Sequence, residues 1–143
     1  MINNSELIGK IYRVLSADAT LVDATHLESA DNIIPSPRAP KQKANPTLTI
    51  AGSRSIDEVE VERWRLILNT FVDNYADGTA NLLKLGNITD RIFDVLNDAS
   101  ITITGGRIFS VYLDNDAGIL FDNQHVKEHY QSLMFNLLAT EIT

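Results

Sequence analysis

Apolar residues recur every three or four positions in two stretches of the chain, residues 3–16 and residues 80–98. That spacing places the apolar side chains on one face of a helix, so both stretches are predicted to be amphipathic helices. The two stripes are Leu7, Ile8, Ile11, Tyr12 and Leu15 in the first helix, and Leu85, Ile88, Ile92, Val95 and Leu96 in the second. Gly86 lowers the helix propensity of the second by about 1 kcal/mol.

Between the two predicted helices the pattern changes to alternation, which is typical of strands. Residues 47–50 predict a short strand that Ala51-Gly52-Ser53 closes. Residues 58–72 predict a long strand, in which the alternation changes phase between Val61 and Trp64 and so suggests a bulge. The Asp77-Gly78-Thr79 sequence predicts a turn before the second helix.

Short strands and turns are predicted after the second helix. Gly105-Gly106 favours a tight hairpin that joins strands at 101–104 and 107–113. Residues 114–118, rich in Asp and Asn and ending in Gly, predict another turn, after which residues 119–121 prolong the sheet. Residues 126–142 fit two structures, because their apolar positions alternate as in a strand and also form a helical stripe.

Composition restricts the class of protein more than it identifies a function. The 143 residues fit one mixed domain of helices and strands, with 12 basic and 19 acidic side chains and a net charge of −7. The absence of cysteine excludes disulfides, thiol catalysis and Cys-ligated metals. No apolar run has membrane-spanning length and no signal peptide is evident, so we expect synthesis in the cytosol. The acidic charge argues against sequence-independent binding of nucleic acid.

Candidate chemical groups are few and are explained at least as well by structural roles. His125 and His129 lie four residues apart near Asp122, a spacing that metal sites use on helices, but solvated surface histidines explain the pattern better. The acidic residues of 114–118 resemble a calcium loop only in part, because the glycine and the final acid stand at other positions. No nucleophile, base and oxyanion site can be assembled, so we expect no enzyme activity and no cofactor.

A stretch at 31–47, here called the proline arm, is the best candidate for binding. It contains all four prolines of the chain, and residues 33–46 carry Arg38, Lys41 and Lys43 without an acid. Because proline disfavours helices and central strands, we expect an extended surface segment, either disordered or strapped across a neighbouring subunit. The basic side chains would then meet an acidic run at 57–62 of the next copy.

Further interface candidates lie in and after that acidic run. Its glutamates are Glu58, Glu60 and Glu62. Arg63, Trp64 and Arg65 follow directly and are residue types enriched at interface hot spots, although a tryptophan such as Trp64 is more often a core residue.

Taken in order, these elements resemble the ring-forming neck proteins of long-tailed bacteriophages, the tail-completion (tail-to-head joining) and tail-terminator proteins. The resemblance lies in residues 15–19 (LSADA) at the end of the first helix, residues 45–50 (NPTLTI), the long strand at 63–72 and residues 131–137 (QSLMFNL) near the end. It covers nearly the whole chain and rests on element order and short patterns. The proline arm is longer than the family pattern.

The resemblance implies an α+β fold, with a small, mostly antiparallel sheet, two helices packed on one face and an extended proline-rich arm. It favours a strand for the last segment. It also implies a structural virion protein that forms a hexameric ring between the head connector and the tail tube protein. DNA would pass through the lumen of the ring without specific binding, repelled by an acidic wall.

The sequence leaves several functions open. A tail terminator and a joining protein are not distinguished by any residue. Other interpretations are a head-side connector, an adaptor of another contractile or secretion machine, and a small ligand-binding domain or enzyme of unknown substrate.

Overall fold

Two α-helices and six strands make up the part of the chain that the computed structural model describes, which is residues 4–36, 44–56, 62–102, 108–121 and 127–140. In chain order the elements are α1 (Asn4–Ser16), a 3-10 helix (Ala30–Asn32), β1 (Ile33–Ile34), β2 (Thr47–Ile56), β3 (Glu62–Asp73), α2 (Leu82–Leu96), β4 (Ser100–Thr102), β5 (Ile108–Leu120) and β6 (Glu128–Thr140). Both predicted helices are confirmed within two residues of their predicted ends.

The six strands form one sheet in the order β1-β2-β3-β6-β5-β4. Only the short β1 pairs in parallel, with β2, and the other pairings within the described residues are antiparallel. The sheet is mixed and curls into a half-barrel with two helices, which confirms the α+β fold. The last segment, which pattern alone left open, is strand β6, paired with β3 on one side and β5 on the other.

The long central strands pair without interruption. The prediction that residues 51–53 close the first strand is wrong, because β2 continues through them to Ile56 with a β3 partner at every position. The β2–β3 register has no shift from Thr47↔Phe71 to Ile56↔Glu62. The suggested bulge between Val61 and Trp64 therefore has no counterpart within residues 62–73, and Val61 lies outside the described residues.

Residues 114–118 form strand, and the prediction of a turn there is wrong. Strand β5 runs through them and prolongs the sheet to Leu120, with register shifts against β6 at Leu113/Asn115 and at Asp116/Ile119. The Asp, Asn and Gly residues that predicted a turn are accommodated at these irregularities of the strand. Gly118 adopts a positive φ of 76°, and its N–H donates to Asp116 Oδ1.

Both helices pack their predicted stripes against the same face of the sheet, with Tyr12 and Val95 partly buried and the other members buried. Helix α1 contacts β1 and β2, and helix α2 contacts β3, β5 and β6. Within the described residues, one apolar cluster joins both helices to alternate residues of the central strands. Its strand members include Leu48, Ile50, Trp64, Leu66, Leu68, Leu133, Phe135 and Leu137.

An ion pair joins the two helical regions. Asp18, just after α1, accepts hydrogen bonds from Arg91 Nε at 2.9 Å and Nη2 at 2.7 Å, and its Oδ1 also accepts from the N–H of Leu21 at 2.8 Å. The Arg91 hydrogen bonds hold the pKa of Asp18 below its usual value. Asp18 belongs to the LSADA segment, so this segment has a structural role in the present fold.

The two ends of the proline arm that the structure describes are packed into the fold and do not lie on the surface as predicted. Residues 31–32 end the 3-10 helix, and Ile33 in β1 is buried and paired in register with Leu48. At the other end Pro46 is buried and Thr47 begins β2. Residues 37–43, which include Arg38, Lys41 and Lys43, lie outside the described residues, so the prediction of an arm there stays a prediction.

Candidate interaction surfaces

The side of the sheet that faces away from both helices carries a row of partly exposed apolar side chains, and we call it the helix-free face. On β3 and β6 its apolar members are Ile67, Phe71, Tyr130, Met134 and Leu138, all partly buried. They alternate along β3 and β6 with the core residues, so strand geometry places them on the opposite side of the sheet. None belongs to the apolar cluster beneath the helices or to the residues packed against it.

The centre of the helix-free face is polar and shielded from solvent. Thr49, Asn69 and Ser132 stand side by side across three strands by register. Thr49 is 1% exposed and Ser132 6%. The Asn69 Oδ1 atom is buried and has no hydrogen-bond partner among the described atoms. The rings of Phe71 and Tyr130 stack beside this centre with centroids 5.2 Å apart.

Charge differs between the two ends of the helix-free face. At one end Arg63 and Arg65 are exposed, and Arg65 Nη2 lies 3.3 Å from Asp114 Oδ2. At the other end Asp73 and Glu128 pair in register, and the Asn45 side-chain amide donates to Asp73 Oδ1 at 2.8 Å and to Glu128 Oε2 at 2.5 Å. The face is therefore basic at one end and acidic at the other.

A second apolar surface lies in the connection from β3 to α2, residues 75–83, which we call the tip. Tyr75, Leu82 and Leu83 are 49%, 59% and 71% exposed. This surface was not predicted from the sequence, although the signal for it is present. Leu83 falls on the opposite side of α2 from the apolar stripe that starts at Leu85, and an apolar residue on the polar side of a helix marks a candidate contact.

Local hydrogen bonds give the tip a defined shape. The turn is closed by the Tyr75 N–H donating to Thr79 O at 2.9 Å, with Gly78 at a positive φ of 88°. Asp77 Oδ1 accepts from the Thr79 hydroxyl at 2.6 Å and from its N–H at 2.9 Å. These hydrogen bonds, that from the hydroxyl foremost, lower the pKa of Asp77, so its carboxylate is charged at neutral pH. Asn81 caps α2 by accepting from Lys84 N–H at 3.1 Å.

The interface residues that were predicted from the sequence differ in their exposure in the structure. Arg63 and Arg65 lie on the helix-free face, as described above. Trp64 is 3% exposed in the core cluster, so its side chain is not presented to a partner; it alternates with the two arginines and points to the helices. The backbone of Glu62 opens β3, while Glu58 and Glu60 lie outside the described residues. The predicted contact between the proline arm and this acidic run stays a prediction.

The possible metal ligands are not brought together where they are described. His129 Nδ1–H donates to Asn74 Oδ1, while His125 and Asp122 lie outside the described residues. Within the described ranges no group of three His, Asp or Glu side chains could hold a metal ion. The residues that resembled a calcium loop are part of the bulged β5. Asp116 there accepts from Gln131 Nε2 at 3.0 and 3.1 Å.

No helix in the described segments is both long enough and apolar enough to cross a membrane.

Comparison with known proteins identifies the fold. No protein-family model matches the chain, and no curated protein matches it. Among solved structures, a chain of the structure described as "Virion of native gene transfer agent (GTA) particle" has the same fold. The two superpose with a TM-score of 0.72 over 94% of this chain and 95% of that chain, at 14% sequence identity. This chain therefore shares its fold, over almost its whole length, with a chain of a gene transfer agent virion.

Proposed function

We propose that the chain is a structural virion protein that forms a ring at the head-proximal end of a phage tail. In that position it would end the tail tube, join the tail to the head connector, or do both. The observation that carries the proposal is the match over nearly the full length of both chains to a component of a gene transfer agent virion. The resemblance of the sequence to neck proteins of long-tailed phages points to the same particle type and adds the location.

The surfaces of the domain support a role in assembly. The tip and the helix-free face both expose apolar side chains. A domain of this length can form its hydrophobic core without these side chains, so the core does not explain them. Exposed apolar patches of this kind mark contacts with other proteins. The proposed partners are other copies of the chain, the tail tube protein and the head connector.

The charge of the chain supports passage of DNA through such a ring. The net charge is −7, and an acidic wall repels phosphate, so that DNA would move through the lumen without specific binding. The proposal requires no catalytic residue and no cofactor, because ring formation and docking depend on surface complementarity. The protein would be made in the host cytoplasm and would remain in the neck of the virion.

Electron microscopy of particles made without the chain tests this function. The gene is silenced in the parent phage, and lysates are imaged beside lysates in which the wild-type chain is supplied in trans. Overlong tails without heads, next to filled heads, would identify a terminator, because the tube then lacks its stop. Tails of normal length beside filled heads would identify a joining protein. Intact infectious virions in the absence of the chain would refute the proposal.

A further inference from the structure

We infer that, in the ring of the proposed function, the tip of one copy docks on the helix-free face of the next copy. The inference rests on the proposed function for the existence of the ring and adds which surfaces form its contact. Both surfaces belong to this chain, so each surface has a second copy of this chain as its partner.

The two surfaces lie at positions that favour a contact between different copies. The basic end of the helix-free face is at Arg65, and the tip begins just beyond Asp73, eight residues further along β3. At about 3.3 Å per residue, these points are about 26 Å apart along the strand. The tip therefore lies well away from the basic end of its own sheet, but it can reach that of a neighbour.

The charges of the two surfaces are complementary. Asp77 is the only charged side chain in residues 75–83, and it is exposed and ionised. Arg63 and Arg65 are exposed at one end of the helix-free face, and the ion pair of Arg65 with Asp114 is solvent-exposed and therefore weak. An incoming Asp77 would meet a basic site, and charge complementarity of this kind fixes the orientation of a contact.

The apolar groups of the two surfaces are also matched. Leu82, Leu83 and Tyr75 project from the tip, and partly exposed Ile67 and Met134 neighbour each other on the helix-free face by register. A contact between different surfaces covers both at once and repeats from copy to copy until a ring closes. A two-fold contact between helix-free faces would leave the tip uncovered, which is why we favour the head-to-tail arrangement.

Site-directed cross-linking tests the contact, because the natural chain has no cysteine. Leu83→Cys and Met134→Cys are made as separate single variants, and each is checked for unchanged folding by circular dichroism. They are mixed, in purified form and in particles grown with both variants, and treated with a flexible bis-maleimide. Arg13→Cys, at an exposed position on α1, replaces Leu83→Cys in the matched control.

The inference predicts cross-linked dimers when Leu83→Cys is mixed with Met134→Cys. It predicts none from either variant alone and none from the Arg13→Cys mixture. Cross-links of Met134→Cys with itself would overturn the inference in favour of a two-fold contact. Cross-links of Leu83→Cys with itself would place the tip against another tip and overturn it as well.

Removal of the tip charge provides a second readout. Asp77→Asn keeps the Oδ1 acceptor for Thr79 while removing the carboxylate charge. At low salt it is predicted to lower the yield of mixed cross-links on the order of threefold, and added salt should abolish the difference. Asp90→Asn removes the same charge from the exposed side of α2 and should change nothing. An equal effect of both variants would contradict a specific Asp77 contact.

The outcomes separate this inference from the proposed function. If the chain is present in virions but mixed cross-links form neither there nor in the purified protein, the inference fails and the proposed function stands. If mixed cross-links form in the purified protein while the chain is absent from virions, the contact stands and the proposed function fails. Absence of both would overturn the two together.

Discussion

Replacement of Asp18 by asparagine is expected to destabilise the domain in a pH-dependent manner. The carboxylate of Asp18 accepts two hydrogen bonds from Arg91, and its side chain is 15% exposed. An amide oxygen at the Oδ1 position can still accept from the Leu21 N–H and from Arg91 Nε, so the substitution removes the carboxylate charge and the Oδ2 acceptor for Arg91 Nη2. This contact joins the segment after α1 to α2 across 73 residues of sequence, so hydrogen bonds between residues close in sequence cannot replace it.

The magnitude follows from the geometry and exposure of the pair. A hydrogen bond to a charged partner contributes about 1.5–3 kcal/mol when it is shielded from water. Arg91 is 34% exposed, so solvent screens the pair, and we expect Asp18→Asn to lower the free energy of unfolding by about 1.5 kcal/mol. For 143 residues the entropy of unfolding is about 0.3 kcal/mol/K, so the Tm should fall by about 5 °C.

The pH dependence has a defined sign. The folded pKa of Asp18 is lowered by Arg91, so the stabilisation is fully present above the unfolded pKa of Asp, about 3.9, and is lost as the pH falls through the folded value. Urea unfolding of wild-type and Asp18→Asn protein, measured from neutral pH downward, should show two stabilities that converge at acidic pH. Urea is used because it adds no ionic screening.

Asp90→Asn serves as the control, since it removes the same charge from an exposed position on α2. It is expected to leave the free energy of unfolding within about 0.5 kcal/mol of wild type. Equal stability of wild type and Asp18→Asn at neutral pH would refute the role assigned to the ion pair. A stability difference that persists unchanged at acidic pH would refute it as well.

Three further predictions concern single side chains. Thr70→Val should raise the free energy of unfolding by about 1 kcal/mol in urea titrations, because the buried Thr70 hydroxyl has no hydrogen-bond partner among the described atoms. Thr89→Val should lower the free energy of unfolding by about 1 kcal/mol, since the Thr89 hydroxyl donates to Leu85 O. A more stable Thr89→Val and a less stable Thr70→Val would contradict this assignment. Gly118→Ala should cost about 1 kcal/mol at its positive φ, while Gly86→Ala, with open space at its Cβ, should gain about as much, both measured as shifts in Tm. Leu83→Ser should leave Tm unchanged yet abolish assembly into particles, and particles of normal yield would speak against the tip.

The helices and the central strands were predictable because local pattern and final environment agree. The stripe from Leu85 to Leu96 has helical spacing, and its members Leu85, Ile88, Ile92 and Leu96 are buried beneath α2 as that spacing requires. Trp64, Leu66 and Leu68 alternate, and all three are buried on one side of β3. In both cases only one periodicity fits the sequence, so the type of secondary structure does not depend on contacts with neighbouring elements.

Other parts of the fold depend on partners distant in sequence. Residues 126–142 fit both a helix and a strand in pattern, and β6 is a strand because β3 and β5 pair with it on both sides. Residues 114–118 have turn composition, but β6 is long enough to pair beyond them, so the strand continues with bulges.

The candidate surfaces were only partly predictable. Arg63 and Arg65 were identified from residue type, and alternation along β3 explains why they are exposed while Trp64 between them is buried. The helix-free face required the register of β3 against β6, because Ile67 and Met134 become neighbours only in the folded sheet. The tip was missed because the turn composition around Asp77 predicts a connection, although Leu83 on the polar side of α2 carries a signal for a contact surface.

Localisation of the chain within the particle tests the central claim most directly. Virions that carry an epitope-tagged copy of the chain can be labelled with antibody-bound gold and imaged by electron microscopy. The proposed function predicts label at the junction of head and tail on most particles, and a closed ring of density there on averaging. Label along the tail, at its distal end or on the capsid surface, or particles without label, would contradict a neck ring.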